Sequence, residues 1–367
     1  MTETEQIDDI IQHITPKKLA KILNDPEKTA KTVNLVYVND HETSGITRKR
    51  RGNKFNYYHE GKLVKDKAVI ERIRKLVIPP AWEDVWICAL ENGHLQATGV
   101  DVRKRKQYRY HPAWNAMRNH SKYYRMIQFA HALPKIRLHL EKDLARHGMS
   151  ERKVLAAVVS LMERTNIRVG NNIYEKLYGS FGLTTLKDKH IKIKGNTMKF
   201  SFKGKKGVYH DISLRNPKLT RIVQKCKEIP GKDLFQYYDE EGKRQSIDSG
   251  MVNDYIREIS GDNFTAKDFR TWSGTINAFL AFKELGGFET QTEQKKKIIQ
   301  ALDKVAEQLG NTRTVCKKYY VHPLIISLYE SGGLNDYYKQ LDSIEKNDNL
   351  SGLTKEEEII LSILEKG

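Results

Sequence analysis

Two adjacent tyrosines, Tyr319 and Tyr320, stand in the stretch GNTRTVCKKYYVHP, Gly310 to Pro323, directly behind Lys317 and Lys318 and downstream of Arg313. A phenol ionises near pH ~10, so cations beside it favour the phenolate and draw in an anionic target. Taken alone, the patch is more simply a basic helix start with one buried and one exposed tyrosine. The rest of the chain decides between the two. GxxxxGK[ST], GxGxxG and HExxH are all absent, so neither an ATP-cradling loop nor a zincin site is indicated. No tight Asp/Glu constellation points to a two-metal nuclease. Phosphodiester chemistry here would have to stabilise its transition state with side-chain cations. Cys88, Cys226 and Cys316 are odd in number and far apart, which suggests neither a disulfide framework nor a zinc site.

The composition agrees with an anionic target. Lys and Arg number 64 against 46 Asp and Glu, a net charge of +18 over 367 residues. Such a surplus implies a polyanionic partner, most commonly nucleic acid. A membrane surface has less support. No apolar run approaches the ~18 residues of a span, and the start MTETEQIDDI is acidic, unlike a signal or transit peptide. A soluble intracellular protein is expected.

The elements that must position these residues fall into two parts. Residues 1–32 read as a short helical extension. From 33 to 115 the signals are mostly β: LVYVN (35–39), KFNYYH (54–59), VWICAL (85–90), LQATG (95–99) and KQYRY (106–110) are rich in β-branched and aromatic residues. One helix interrupts them, capped by Asp66, with Val69, Ile70, Ile73 and Leu76 on one face and Pro79-Pro80 beyond it. The reading is a small antiparallel sheet with a packed helix. Two basic clusters, ITRKRRGNK (46–54) and DVRKRKQYRYH (101–111), are expected at its edge. From 116 to 367 the pattern turns helical, with a break expected at Pro134 and a helix starting at Ser150 that buries Val154, Ala157, Val158 and Leu161. HIKIKG, TMKFSFKG and VYHDISL form a three-stranded meander within it. Thr354 to Glu357 reads as a capping box for a last amphipathic helix. The fold class is α+β: an N-terminal β-rich module, then a larger, mostly helical domain.

Several stretches together resemble the type IB DNA topoisomerases of the short bacterial and poxvirus kind. They are RRGNKFNYYHEGKLVKD, IPPAWEDVWICALENGHLQATGVDVRKRKQYRYHPAW, RTNIRVGNNIY, KFSFKGKKG, KDFRTW and LGNTRTVCKKYYVHP, in the family's order. The Tyr–Val–His–Pro ending is similar to the bacterial branch. The resemblance implies a catalytic set of Arg168, Lys205, Arg270, Asn311 and Tyr320, with Tyr320 as nucleophile. Tyr319 cannot share its direction, because successive helix residues diverge by ~100°. Read singly, Arg168 would be a helix-end cation, Lys205 a solvated turn residue and Arg270 a surface ion-pair partner. Poxvirus enzymes carry histidine where this chain has Asn311. An amide can donate to a phosphate oxygen but cannot titrate near neutral pH. By resemblance, Gln107, Tyr108 and Tyr110 in the N-terminal, DNA-clamping module and Tyr174 in the catalytic domain contact DNA.

What the resemblance implies is relaxation of supercoiled double-stranded DNA by a monomer. Cleavage of one strand would pass through a 3′-phosphotyrosyl link, strand rotation and resealing, with no metal, ATP or other cofactor. The setting would be a bacterial nucleoid if the host is cellular, or a virion or infected cell if it is viral. Tyrosine recombinases share the catalytic plan but place histidine three residues before the second arginine, where this chain has Lys267. A catalytically silent architectural DNA-binding protein would account for the charge but not for the five-residue set.

Overall fold

The computed structural model describes residue 22 and residues 25–52, 54–102, 104–343 and 351–366. Most of the expected 1–32 extension therefore lies outside the described residues. Its last part is the helix α1 (Pro26–Thr32), which starts on Asp25, whose carboxylate accepts from the Glu27 and Lys28 amides. The chain divides into two compact units after Tyr124.

The first unit is built on one antiparallel sheet. Its strands are β1 (Gly45–Arg51), β2 (Lys54–His59), β3 (Lys62–Leu63), β4 (Glu83–Cys88), β5 (Leu95–Val100) and β6 (Lys106–Tyr110), in the order β3-β2-β1-β4-β5-β6. The basic run 46–51, expected as a charged edge, is instead strand β1, paired with β2 on one side and β4 on the other. Its cations lie along aromatic neighbours: Arg48 sits 4.2 Å from the Phe55 ring centroid and Lys49 5.2 Å from that of Tyr58. Arg48 also donates to the Ile78, Pro79 and Trp82 carbonyls, pinning the IPPAW loop. Residues 35–39, expected as a strand, form only a single bridge, Val36 to Gly93. Helix α2 (Lys67–Lys75), capped by Asp66, buries Ile73 against Ile46, Val85, Ile87 and Ala97. A separate cluster joins Ala30, Val33 and Leu35 to Ala113, Trp114 and Met117 at the start of α3 (Pro112–Leu144).

Helix α3 continues through Pro134, contrary to the expected break. A proline there removes one backbone bond and crowds the preceding turn. The fully buried Leu133 and Ile136 on either side hold the segment helical.

In the second unit α4 (Glu151–Thr165) is the central helix, with Val154 to Met162 all buried. Around it stand α5 (Asn172–Tyr178), the meander β7 (Ile191–Lys194), β8 (Thr197–Lys203) and β9 (Tyr209–Arg215), α6 (Pro217–Glu228), the hairpin β10 (Gln236–Tyr238) and β11 (Arg244–Ser246), α7 (Ser249–Ser260), α8 (Ala266–Leu285) and α9 (Gln291–Leu309). The chain ends with α10 (Arg313–Tyr319), α11 (Pro323–Glu330), α12 (Leu334–Ser343) and α13 (Lys355–Lys366). The capping box at α13 is present in both directions, Glu357 N–H to Thr354 Oγ1 and Thr354 N–H to Glu357 Oε2. Buried Glu357 also accepts from Arg137 on α3 and from the Trp272 indole on α8. The fold is thus α+β, a sheet module followed by a mainly helical one. No helix among the described residues is long and apolar enough to cross a membrane.

Candidate active site

Helix α4 stops at Asn166, whose left-handed backbone (φ 56°) ends the helix and sends an extended segment away from it. Along that segment Ile167 and Val169 are buried, and Arg168 between them faces the other way. Its guanidinium donates to the Gly310 carbonyl at 3.2 Å and to Asn311 Oδ1 at 2.7 Å.

Arg270 arrives from α8, whose first turn is fixed by Asp268 accepting from the Thr265 amide and hydroxyl. It is not a surface ion-pair residue. Only 5% of it is exposed, and it donates to the Asn166 carbonyl and, at 2.8 Å, to the Leu309 carbonyl. The surface ion pair of this turn belongs to Asp268 and Arg125 instead. Arg270 Nε and Asn311 Nδ2 are both buried with no hydrogen-bond partner among the described residues.

Helix α10 delivers the tyrosines. The Thr312 hydroxyl accepts from Val315 N–H at its start and Cys316 is buried beneath it. Tyr320 is the residue on which it ends. Two features of α8 hold Tyr320 there. The Thr275 hydroxyl donates to its carbonyl at 3.2 Å, and Gly274, one turn beyond Arg270, has no Cβ to obstruct it. The guanidinium carbon of Arg270 lies 5.3 Å from the Tyr320 ring centroid. Tyr319 is 43% exposed, with Lys318 over its ring.

Lys205 stands in the exposed turn between β8 and β9, closed by Gly204 N–H to the Val208 carbonyl at 2.7 Å. Its ammonium is 5.4 Å from the centroid of the Tyr174 ring on α5. Arg168, Lys205, Arg270, Tyr320 and Tyr174 line one cleft of about 290 Å³, and Lys267 lines it as well. Asn311 joins this group through Arg168. The five residues singled out from the sequence are therefore neighbours, although 152 positions separate the first, Arg168, from the last, Tyr320.

The surrounding charges bear on the acidity of the phenol. Burial alone would raise Tyr320, but Arg270, then Arg168 and Lys267, outweigh it and hold the phenol below its ordinary range. Burial and the charge of Arg270 lower Arg168 to about 10, so it keeps its proton at neutral pH. Burial also lowers Arg270, with Tyr320 opposing. Lys267, Gly274 and Thr275 were not singled out from the sequence as site residues. The KxxR spacing puts Lys267 and Arg270 on one helix face and was the available signal for the lysine. Gly274 and Thr275 carried none.

In the first unit, Gln107, Tyr108 and Tyr110 lie on β6. Tyr108 is 46% exposed and stacks on Tyr110 with centroids 5.9 Å apart. Gln107 donates to Asp101 at 3.0 Å. Tyr110 is half-buried against the hydrophobic clusters, and that burial raises its phenol above the ordinary range. Of the three, Tyr108 is the one best presented to a ligand.

Residues 104–347 match the family described as the eukaryotic DNA topoisomerase I catalytic core, and residues 54–101 match the bacterial DNA topoisomerase IB N-terminal domain. The chain is 33% identical over 306 residues to DNA topoisomerase 1B of Acanthamoeba polyphaga mimivirus, covering 80% of this chain and 90% of that protein. It is 22% identical over 298 residues to DNA topoisomerase 1B of vaccinia virus strain Copenhagen, covering 76% and 91% respectively.

Proposed function

The chain belongs to the type IB DNA topoisomerase family, and from that premise we propose that it relaxes supercoiled duplex DNA by cutting one strand with Tyr320. The observation that carries the reading is the gathering of Tyr320, Arg168, Arg270 and Lys205 along one cleft, with the Arg270 guanidinium packed against the Tyr320 ring. Tyr320 Oη attacks the phosphorus in line as the phenolate. A 3′-phosphotyrosyl bond forms, the bond to the 5′-oxygen breaks, and that oxygen takes a proton from Lys205. Arg168 and Arg270 hold the non-bridging oxygens and offset the charge that develops on them. Asn311, whose Nδ2 is buried without a partner among the described residues, adds a neutral donor for the same group. Exchanging one phosphate ester for another conserves the bond energy, so no nucleotide is consumed. The downstream duplex turns while the strand is open, and the 5′-hydroxyl attacks back to reseal it. Tyr174 beside Lys205, and Gln107, Tyr108 and Tyr110 on β6, serve as DNA contacts, supported by the net charge of +18.

The test is plasmid relaxation in EDTA without nucleotide, with detergent trapping of the covalent adduct. Positive and negative supercoils should both relax. Tyr320→Phe should lose relaxation and adduct while still binding DNA, and Tyr319→Phe should keep all three. A strict need for Mg²⁺ or ATP, or an adduct that survives Tyr320→Phe, would sink the mechanism.

A further inference from the structure

The imidazole of His210 touches two parts of the site at once. On β9 it lies opposite Phe202 of β8 and stacks on that ring, with centroids 5.0 Å and planes 21° apart. Its edge abuts two glycines. A Cβ on Gly204 would fall 2.6 Å from ring atoms Cδ2 and Nε2, and one on Gly310 would fall 2.3 Å from Cε1. Gly310 ends α9 in the left-handed region (φ 55°), which already favours glycine. Gly204 does not need to be glycine for its backbone, since φ −89° and ψ −167° are open to any residue. There the close approach of the ring is what excludes a side chain.

Each glycine borders functional residues. Gly204 is the buried base of a turn whose next four residues, beginning with Lys205, are exposed. Gly310 sits where the carbonyls of Leu309 and Gly310 and the Asn311 amide take up Arg270 and Arg168. We propose that His210 is a positioning residue, an aromatic spacer that sets the Lys205 turn against the corner holding both arginines. The ammonium then meets the leaving oxygen of the same phosphate that the guanidiniums hold. Burial, then Arg168 and Arg270, lower the ring's basicity, which disfavours a further cation in the cluster. The inference rests on the reading of Lys205 as the acid.

The experiment compares single-turnover cleavage of two duplexes, with oxygen or sulfur at the bridging 5′ position. A 5′-thiol ionises near ~8–9 and departs without a donated proton. Lys205→Ala should be slowed ~10²–10⁴-fold on oxygen and largely recover on sulfur. His210→Ala, which leaves the turn unsupported, should be slowed ~10–10²-fold on oxygen, as for a displacement of about 1 Å, and should recover on sulfur in the same way. Gly204→Ala presses on the ring edge itself without straining the backbone. Its backbone angles are open to alanine, so it keeps the test open should His210→Ala fold poorly, and it should show the same recovery. Lys206→Ala should stay near wild type on both substrates. If the His210 and Gly204 variants are slow equally on oxygen and sulfur, or normal on oxygen, while Lys205→Ala recovers, the spacer role is wrong. If Lys205→Ala itself fails to recover, the reading of Lys205 as the acid falls, and the inference falls with it.

Discussion

Replacing Gly274 by alanine tests whether α8 sets the position of Tyr320, the proposed nucleophile. The added Cβ would stand 2.7 Å from the Tyr320 carbonyl oxygen and 3.0 Å from its Cβ, where ordinary contact begins at 3.4 Å. Relief requires a displacement of about 0.7 Å, and the nearest atom is backbone, unable to swing aside. The same stretch is tied to Thr275, which donates to the Tyr320 carbonyl and accepts from the His322 amide, so displacement also disturbs those bonds. A reacting group misplaced by ~1 Å can lose ~10²-fold in rate, so Gly274→Ala should cleave ~10–10²-fold more slowly. Stability should respond differently. Alanine is favoured over glycine in a helix interior by ~1 kcal/mol, against ~1–3 kcal/mol for overpacking, leaving a small net change. The assay is single-turnover adduct formation on a duplex that cannot religate, run beside thermal unfolding and equilibrium DNA binding. The expected result is slow cleavage with near-normal melting and binding. Wild-type cleavage with unchanged or raised melting temperature would refute the idea that this glycine places Tyr320.

Arg270→Lys keeps a charge but not a planar fork. One ammonium cannot reach the Asn166 and Leu309 carbonyls and still present donors to a phosphate. Adduct formation should fall ~10²–10³-fold, and a loss below tenfold would mean that charge alone suffices. Because cations hold the Tyr320 phenol low, the rising limb of the cleavage pH profile should lie below the ordinary ~10. In Lys267→Gln one of those cations is gone, so the limb should move to higher pH, and an unmoved limb would argue that Lys267 does not sense the phenol. Glu357→Ala removes one of the two carboxylates that Arg137 pairs with among the described residues and strips the Trp272 indole of its acceptor. It should destabilise the helical unit by about 3 kcal/mol in urea unfolding, and a change under ~1 kcal/mol would mark the contact as no stronger than a surface pair.

Features with local causes were legible in the sequence. The cap at Asp66, the meander turns and the Thr354–Glu357 box each depend on residues within a few positions of one another. Strand β1 was not legible, because a run of cations resembles a solvated loop until Phe55 and Tyr58 are seen under Arg48 and Lys49. Residues 35–39 showed the opposite error: β-prone side chains with no strand to pair along their length. Within the site, residue identities came from resemblance, and their neighbours confirm only proximity. The burial of Arg270 could not be foreseen, since its acceptors lie 104 and 39 positions away.

Those acceptors also bear on how two guanidiniums can share one cleft. Arg168 and Arg270 repel, and burial disfavours both charges. The carbonyls they bond are those of Asn166, the cap of α4, and of Leu309 and Gly310 at the end of α9. Helix C-termini carry unpaired carbonyls and the negative end of the helix dipole. Two such ends meeting at one point form a neutral protein surface with a negative potential, able to hold two cations close together without a carboxylate. A carboxylate would neutralise the arginines and compete with DNA for them. A helix end offers fixed dipoles that orient each guanidinium and leave its net charge for the proposed phosphate. On this argument the convergence of α4 and α9 is what makes the arginine pair available, and the phenol of Tyr320 draws its acidity from the same arrangement.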